Sequence, residues 1–387
     1  MSAFNDQMSI PTRRFSMKKT LIAAALSAVV ASVSAADVSV YGVMDMGVSI
    51  SKKSGATGDN RWNLQMKSGM RNSSRFGFKG NEDLGNNYKV GFILESQFAG
   101  DTGALQSSGV LWEREASLWL SGDFGKVTAG RVGYLKGVVG STALLNSYRV
   151  NPFGSQMSNF VTGFKAYTTG TSWYCNNGIV YETPDLAGLK GYLQYSNAVT
   201  DEGTHYNDKD RYAAAALGYM NGPLLLQTIV DTTMRGHKED KFAGNKYRDA
   251  ASLGVQAAYD FDVVKVYGMI EGFKDSALNT VGQHLDGDGA LYNGVGATLV
   301  FQWPVGNGKV KFGGGYLKAS TVDGTASEKE YDVTRYGVSL GYDYVVSKRT
   351  QLYANYGFAQ QNREKTADDT VMRQRGMEFT AGMVHFF

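Results

Sequence analysis

Along much of the chain, apolar and polar residues alternate with a period of two. From Val38 to Ile50 one set of alternate positions reads Val, Val, Gly, Met, Met, Val, Ile, and the other reads Ser, Tyr, Val, Asp, Gly, Ser. Successive side chains of a β-strand point to opposite faces, so this run predicts a strand with one apolar and one mostly polar face. The pattern returns at Tyr88–Phe98, where Val90, Phe92 and Leu94 alternate with Lys89, Glu95 and Gln97. It returns again at Lys309–Ser320, where Val310, Phe312, Gly314 and Tyr316 oppose Lys309 and Lys311. Strands of roughly 9–11 residues suit a tilted membrane crossing, whereas those of soluble sheets are usually shorter.

The connections sharpen this prediction. Long polar stretches are expected at Lys52–Ser73, Ala99–Glu113, Tyr134–Asn177, Thr200–Asp210, Gly236–Asp249, Asp275–Gly289, Thr321–Glu330 and Arg363–Met372. They alternate with short turns at Gly80–Asn87, Gly122–Gly125, Pro184–Leu189, Asn221–Pro223, Asp260–Asp262, Pro304–Gly308 and Ser347–Arg349. Eight long and seven short connections join sixteen strands. The expected fold is therefore all-β: a 16-stranded antiparallel transmembrane β-barrel with long extracellular loops and short periplasmic turns. Pro184, Pro223 and Pro304 fall in expected turns and Pro152 in the longest loop, where no ladder hydrogen bond is lost.

Composition bounds the alternatives. The chain has 387 residues, with 48 Gly, 23 Tyr, 19 Phe and only 5 Pro. Residues 1–35 read as an N-terminal extension and signal peptide: Met17-Lys18-Lys19, an apolar stretch from Leu21 to Val33, then Val33-Ser34-Ala35 before Ala36. Either Met1 or Met17 could be the start. Processing would remove four bases and one acid, leaving 35 of each in the barrel of residues 36–387. That balance does not fit a nucleic-acid-binding protein. Cys175 is the sole cysteine and the four histidines are scattered, so no disulfide, metal site or cofactor is expected. Asp123-Phe124-Gly125 spells a kinase motif but falls in a turn, with no nucleotide loop near it. Asp286-Gly287-Asp288-Gly289 reads as a surface loop, since the acid an EF-hand needs at position 297 is Ala297.

Several runs resemble the Gram-negative general porin family, especially the trimeric porins of β-proteobacteria and Neisseria. The matching runs are Val40-Tyr41-Gly42-Val43-Met44-Asp45, Ser74-Arg75-Phe76-Gly77-Phe78-Lys79-Gly80-Asn81-Glu82-Asp83-Leu84-Gly85, and Phe124-Gly125-Lys126-Val127-Thr128-Ala129-Gly130-Arg131. Val180-Tyr181-Glu182-Thr183-Pro184 and the terminal Gly382-Met383-Val384-His385-Phe386-Phe387 complete the resemblance. It implies a homotrimer in the outer membrane, an inward-folded third loop, and an arginine cluster on the facing wall. It also implies small hydrophilic solutes as cargo, lipid and lipopolysaccharide as surroundings, and barrel-assembly machinery as a partner that reads the terminal Phe387. A substrate-specific channel and a barrel hydrolase are the rival classes. The hydrolase would need a Ser nucleophile and a His base on neighbouring same-face strand positions, and no histidine here has Ser two residues later.

Selectivity in such channels comes from width and from charge at the narrowest point. Tyr134–Asn177 is the expected constriction loop, long enough to demand a function, with Asn151-Pro152-Phe153-Gly154 where related porins carry an eyelet turn. It contains Lys136, Arg149 and Lys165 and no acid. Arg75 and Lys79 share the face opposite Phe76 and Phe78 and are expected to line the lumen, with Arg114 as the next arginine of the family cluster. Asp45 and Glu95 are expected lumen acids. Arg131 shares parity with Val127 and Ala129, so it is expected either at a trimer contact or past a bulge. Related anion-selective porins often carry an arginine where this chain has Val180. The sum predicts moderate anion preference.

Overall fold

The computed structural model describes residues 37–55, 58–144, 152–153, 167–169, 174–199, 209–236, 248–278, 290–322, 330–366 and 370–387. The expected signal peptide, Arg149, Lys165 and the Asp286–Gly289 run lie outside the described residues.

Strands account for nearly all the regular structure. The first half of the chain forms β1 (Asp37–Gly55), β2 (Gly58–Ser68), β3 (Arg75–Gly85), β4 (Tyr88–Gln97), β5 (Glu115–Gly122), β6 (Gly125–Gly133), β7 (Tyr174–Glu182) and β8 (Leu189–Ser196). The second half forms β9 (Arg211–Asn221), β10 (Leu224–Met234), β11 (Ala250–Asp260), β12 (Lys265–Ser276) and β13 (Tyr292–Val305). It ends with β14 (Gly308–Thr321), β15 (Tyr331–Val345), β16 (Thr350–Lys365) and β17 (Val371–Phe386). From β3 onward each strand pairs antiparallel with the next, as in β3–β4 and β16–β17. β17 then pairs with β1, from Val43↔Phe386 to Ser54↔Arg375. Gly42 and Phe387 exchange both backbone hydrogen bonds, at 3.0 and 3.1 Å, and extend that seam by one residue. The sheet is closed, which leaves no edge for lipid to face.

Seventeen described segments build sixteen strands because β2 and β3 are two halves of one. β1 pairs with both, and Gly69–Ser74 interrupt the ladder between them. Met70, Arg71, Asn72, Ser73 and Ser74 are all buried. The expected loop Lys52–Ser73 is mostly this hairpin of strand instead: β1 runs to Gly55, and β2 starts at Gly58. The alternation of Trp62, Leu64 and Met66 with Asn63, Gln65 and Lys67 is the signal that marks it as strand. These three apolar side chains are 60, 69 and 65% exposed. Strand also continues through Gly80, so that turn shrinks to Asn86-Asn87, both at positive φ (50° and 65°). Paired positive-φ residues are what a two-residue hairpin turn requires. Pro304 sits in the end of β13, opposite Lys309, and not in the turn.

Strand parity divides the wall into two faces. Val38, Val40, Val48, Ile50, Leu118, Leu120, Leu193 and Leu217 are exposed and form part of the apolar outer band. The alternate positions Asp45, Ser49, Ser51, Ser117, Thr128, Gln194, Gln227, Glu271, Lys311 and Glu378 are buried and polar. Polar-in, apolar-out is the inverse of a soluble barrel and matches a lipid solvent outside.

Candidate functional site

The described parts of the stretch between β6 and β7 pack against the inner wall. Leu135, Val138 and Val139 join a buried cluster with Val132, Val180, Tyr212, Ile229 and Met269 from the wall, and Phe153 belongs to it as well. Burial of a side chain such as Leu135 or Phe153 contributes on the order of 1.5–3 kcal/mol. Val180, where anion-selective relatives are expected often to carry arginine, is part of that buried apolar cluster on the inner face. Further along, Tyr167 lies on Gly296, Gly315 and Gly337, at each of which an added Cβ would collide with it. Gly315 and Gly337 leave a slot in β14–β15 that fits this ring, and Gly296 on β13 admits its backbone carbonyl. Thr169 then donates from its hydroxyl to Glu271 (2.8 Å), and Lys311 Nζ stands 5.0 Å over the Phe153 ring.

On the wall of β3–β6, Glu95 is the hub. Arg75 Nε lies 3.2 Å from one of its oxygens and Arg114 Nε 2.5 Å from the other. Tyr41 donates its hydroxyl to the same carboxylate at 3.0 Å. Arg114 also donates to Gln97 Oε1 (2.6 Å), while Lys79 Nζ stands 5.2 Å over the Tyr41 ring. Phe76 and Phe78 point the other way and pack edge-on against Trp112. Arg75 and Lys79 thus share the inner face with Glu95, and Arg114 meets them at the top.

Arg131 lies past a bulge, the second of the two placements open to it. The β6–β7 register shifts between Gly130 and Val132. Gly130 adopts φ +132°, and a Cβ there would collide with the Ala116 carbonyl, so only glycine serves. The bulge turns Arg131 to donate to Glu113 O (2.5 Å) and stacks its guanidinium 5.4 Å from the Tyr174 ring. Arg114 stacks on the same ring at 5.6 Å. Around Tyr174 and Glu95 the wall therefore gathers Arg75, Lys79, Arg114 and Arg131 against Glu95, Glu113 and Glu115. Glu113 lies outside the strands, and burial raises its pKa above the ordinary carboxylate value.

Two residues expected to bear on the pore are committed elsewhere. Asp45 is fully buried, and its carboxylate accepts the backbone N–H of Arg71 (2.7 Å) and Asn72 (2.5 Å) and the Tyr353 hydroxyl (2.7 Å). Asp45 is the clasp of the break in the second strand, not an acid offered to the lumen. Lys136 is buried as well. Its Nζ donates to Glu271 Oε1 (2.6 Å) and Ser252 Oγ (2.7 Å) and lies 3.8 Å from Asp231 Oδ1.

Sequence reasoning missed a third charged group. The break at Gly69–Ser74 carries Arg71 across to Asp343 on β15, with Nη2–Oδ2 at 2.8 Å, and Lys311 Nζ reaches Asp343 Oδ1 at 2.8 Å. Arg71, Asp343 and Pro152 together line a cavity of about 570 Å³. Lys311 was legible as inward-facing from its alternation with Val310 and Phe312. Arg71 carried no such signal, because it stands in the break.

Comparisons with known proteins agree with this architecture. The model of a Gram-negative porin family matches residues 22–364. The chain is similar to outer membrane porin protein 32 of Delftia acidovorans, 31% identical over 373 residues, covering 93% of this chain and 94% of that one. It is similar to the major outer membrane protein P.IB of Neisseria meningitidis serogroup B, 27% identical over 357 residues, covering 90% and 95%. Among solved structures it resembles an anion-selective porin from Comamonas acidovorans, with TM-score 0.69 and 25% identity over 91% of this chain and all of that one.

Proposed function

The chain belongs to the Gram-negative porin family and forms a multi-pass channel in the outer membrane, and we propose that this channel passes small hydrophilic solutes with a moderate preference for anions. One observation carries the preference. Arg75 and Arg114 share a single carboxylate, Glu95, and with Lys79 and Arg131 they set four bases against three acids on one side of the lumen. Arg71 and Lys311 likewise share Asp343. The first group keeps a surplus of one positive charge, while in the second the Asp45 carboxylate beside Arg71 completes the balance. Beside a low-dielectric wall such a charge acts through an effective dielectric nearer ~20 than ~80, and salt screens it over about 10 Å at 0.1 M.

The stretch between β6 and β7 acts as the constriction in this reading, shorter than the expected Tyr134–Asn177 because β7 already begins at Tyr174, and its described parts are docked along the inner wall by Leu135, Phe153, Tyr167 and Thr169. Reversal potential across a planar bilayer in a salt gradient tests the preference. The wild type should favour anions at low salt, and Arg75→Glu and Arg114→Glu should each weaken that bias. Clear cation preference in the wild type would overturn it. The assembly is a homotrimer in the same reading, supported by family membership and by the exposed apolar hairpin face of Trp62, Leu64 and Met66. Small residues at outward positions, Ala129 and Ala381 among them, suit close packing of walls. Native mass spectrometry in mild detergent that gives only monomers would refute the trimer.

A further inference from the structure

An acidic group stands on the wall opposite the arginines. Counted around the sixteen strands, with β2 and β3 as one, Glu95 is on the third strand and Glu271 on the eleventh, eight strands away. Asp231 stands on the ninth. The two acids are brought together by one cation from the stretch after β6, Lys136, which sits 2.6 Å from Glu271 and 3.8 Å from Asp231. Ser252 and Thr169 add hydroxyls to the same group: Ser252 accepts from Lys136, and Thr169 donates to Glu271. Lys136 and Glu271 are both buried, so neither presents a bare charge to solute.

We propose that Lys136 sets the ion preference of the pore by masking: it is the counter-ion that cancels one of the two charges of an acidic patch on the wall facing the arginine group. Without it, Asp231 and Glu271 would place two uncompensated negative charges across the lumen from Arg75 and Arg114. The lumen would then be cationic on one side and anionic on the other, and cations would gain a path along the β10–β12 wall. With Lys136 in place that patch carries a net charge of minus one, half of what the bare acids would set against the β3–β6 wall. The proposal rests on ions passing through this lumen but not on the sign of the wild-type preference, because every readout is a shift relative to wild type.

Charge arithmetic provides the test. At a pH high enough to keep both carboxylates ionised, Lys136→Met takes the group from minus one to minus two, Glu271→Gln takes it to zero, and the double variant returns it to minus one. Reversal potentials at 0.1 M salt should move in opposite directions for the two single variants. The anion-to-cation permeability ratio should fall about threefold for Lys136→Met and rise about threefold for Glu271→Gln, as expected for one charge near a pore wall under partial screening. The double variant should restore the wild-type ratio. If Lys136 served only to hold the loop, both single variants would loosen the same contact and shift conductance and selectivity in the same direction. The double variant would then fail to recover, and either result overturns the proposal. Should Lys136→Met not fold, Glu271→Gln alone still decides, since an unchanged or lowered ratio contradicts masking.

Discussion

Asp45→Ala is the substitution whose effect the structure specifies most closely. The Asp45 carboxylate accepts from two backbone N–H groups and one phenol, at 2.5–2.7 Å, inside a fully buried site. The backbone of Asp45 also holds the break, its carbonyl accepting from Gly69 N at 2.9 Å and its N–H donating to Ser74 Oγ at 3.0 Å. Alanine keeps those backbone contacts and removes only the carboxylate. Three donors are then left without acceptors, at about 1–3 kcal/mol each, or about 3–6 kcal/mol in all once lumen water re-solvates part of the gap. That is roughly a 10²- to 10⁴-fold change in the folding equilibrium. Asp45→Asn preserves volume and one acceptor oxygen, and should cost only about 1–2 kcal/mol. Guanidinium unfolding of the detergent-folded barrel, followed by tryptophan fluorescence, measures both. Because Arg71 is carried on the same break, Asp45→Ala should also raise open-channel noise in single-channel records. Alanine and asparagine variants that both unfold at the wild-type midpoint would refute the clasp.

Other outcomes follow from the same geometry. Glu113 has a raised pKa through burial, so as pH falls it takes up a proton before ordinary carboxylates do. Losing that negative charge beside Arg114 and Arg131 should raise anion preference, and Glu113→Gln should abolish the step in reversal potential. Anion preference should fade as salt rises from 0.1 to 1 M, because the screening length falls from about 10 to about 3 Å. Deleting Phe387 removes the residue that exchanges hydrogen bonds with Gly42, and should lower the outer-membrane yield measured by fractionation and blotting. Intact mass of the assembled protein should correspond to a start at Ala36.

How much could be read in advance depended on range. Strand parity is a local property, so the inner face of Arg75, Lys79 and Glu95 and the outer face of Val38 and Val40 were legible in the alternation itself. The order of long and short connections likewise gave sixteen strands. Partnerships across the lumen were not legible. Lys136 finds Glu271, 135 residues away, and nothing beside it in the chain announces that pairing. The same holds for Arg71 and Asp343, 272 residues apart, and for Tyr167 seated against glycines on three successive strands. The Lys52–Ser73 error had another cause: Trp62, Leu64 and Met66 alternate correctly, but charged and amide neighbours disguised the run as loop. Arg131 escaped placement because parity fails at a bulge, and Gly130 was the single residue that marked it.

The seam between β1 and β17 gives the wall a chronology. Val43 faces Phe386 across it, residues 343 positions apart, so the first strand made must wait for the last before either is satisfied on both sides. A chain stopped before β17 would leave β1 and β16 without the partner that joins them. It would hold two open rows of peptide groups, which hydrocarbon cannot accommodate. The hydrogen bonds that seal the finished wall are the ones a chain without β17 would lack, so the membrane itself tests whether the last strand is in place.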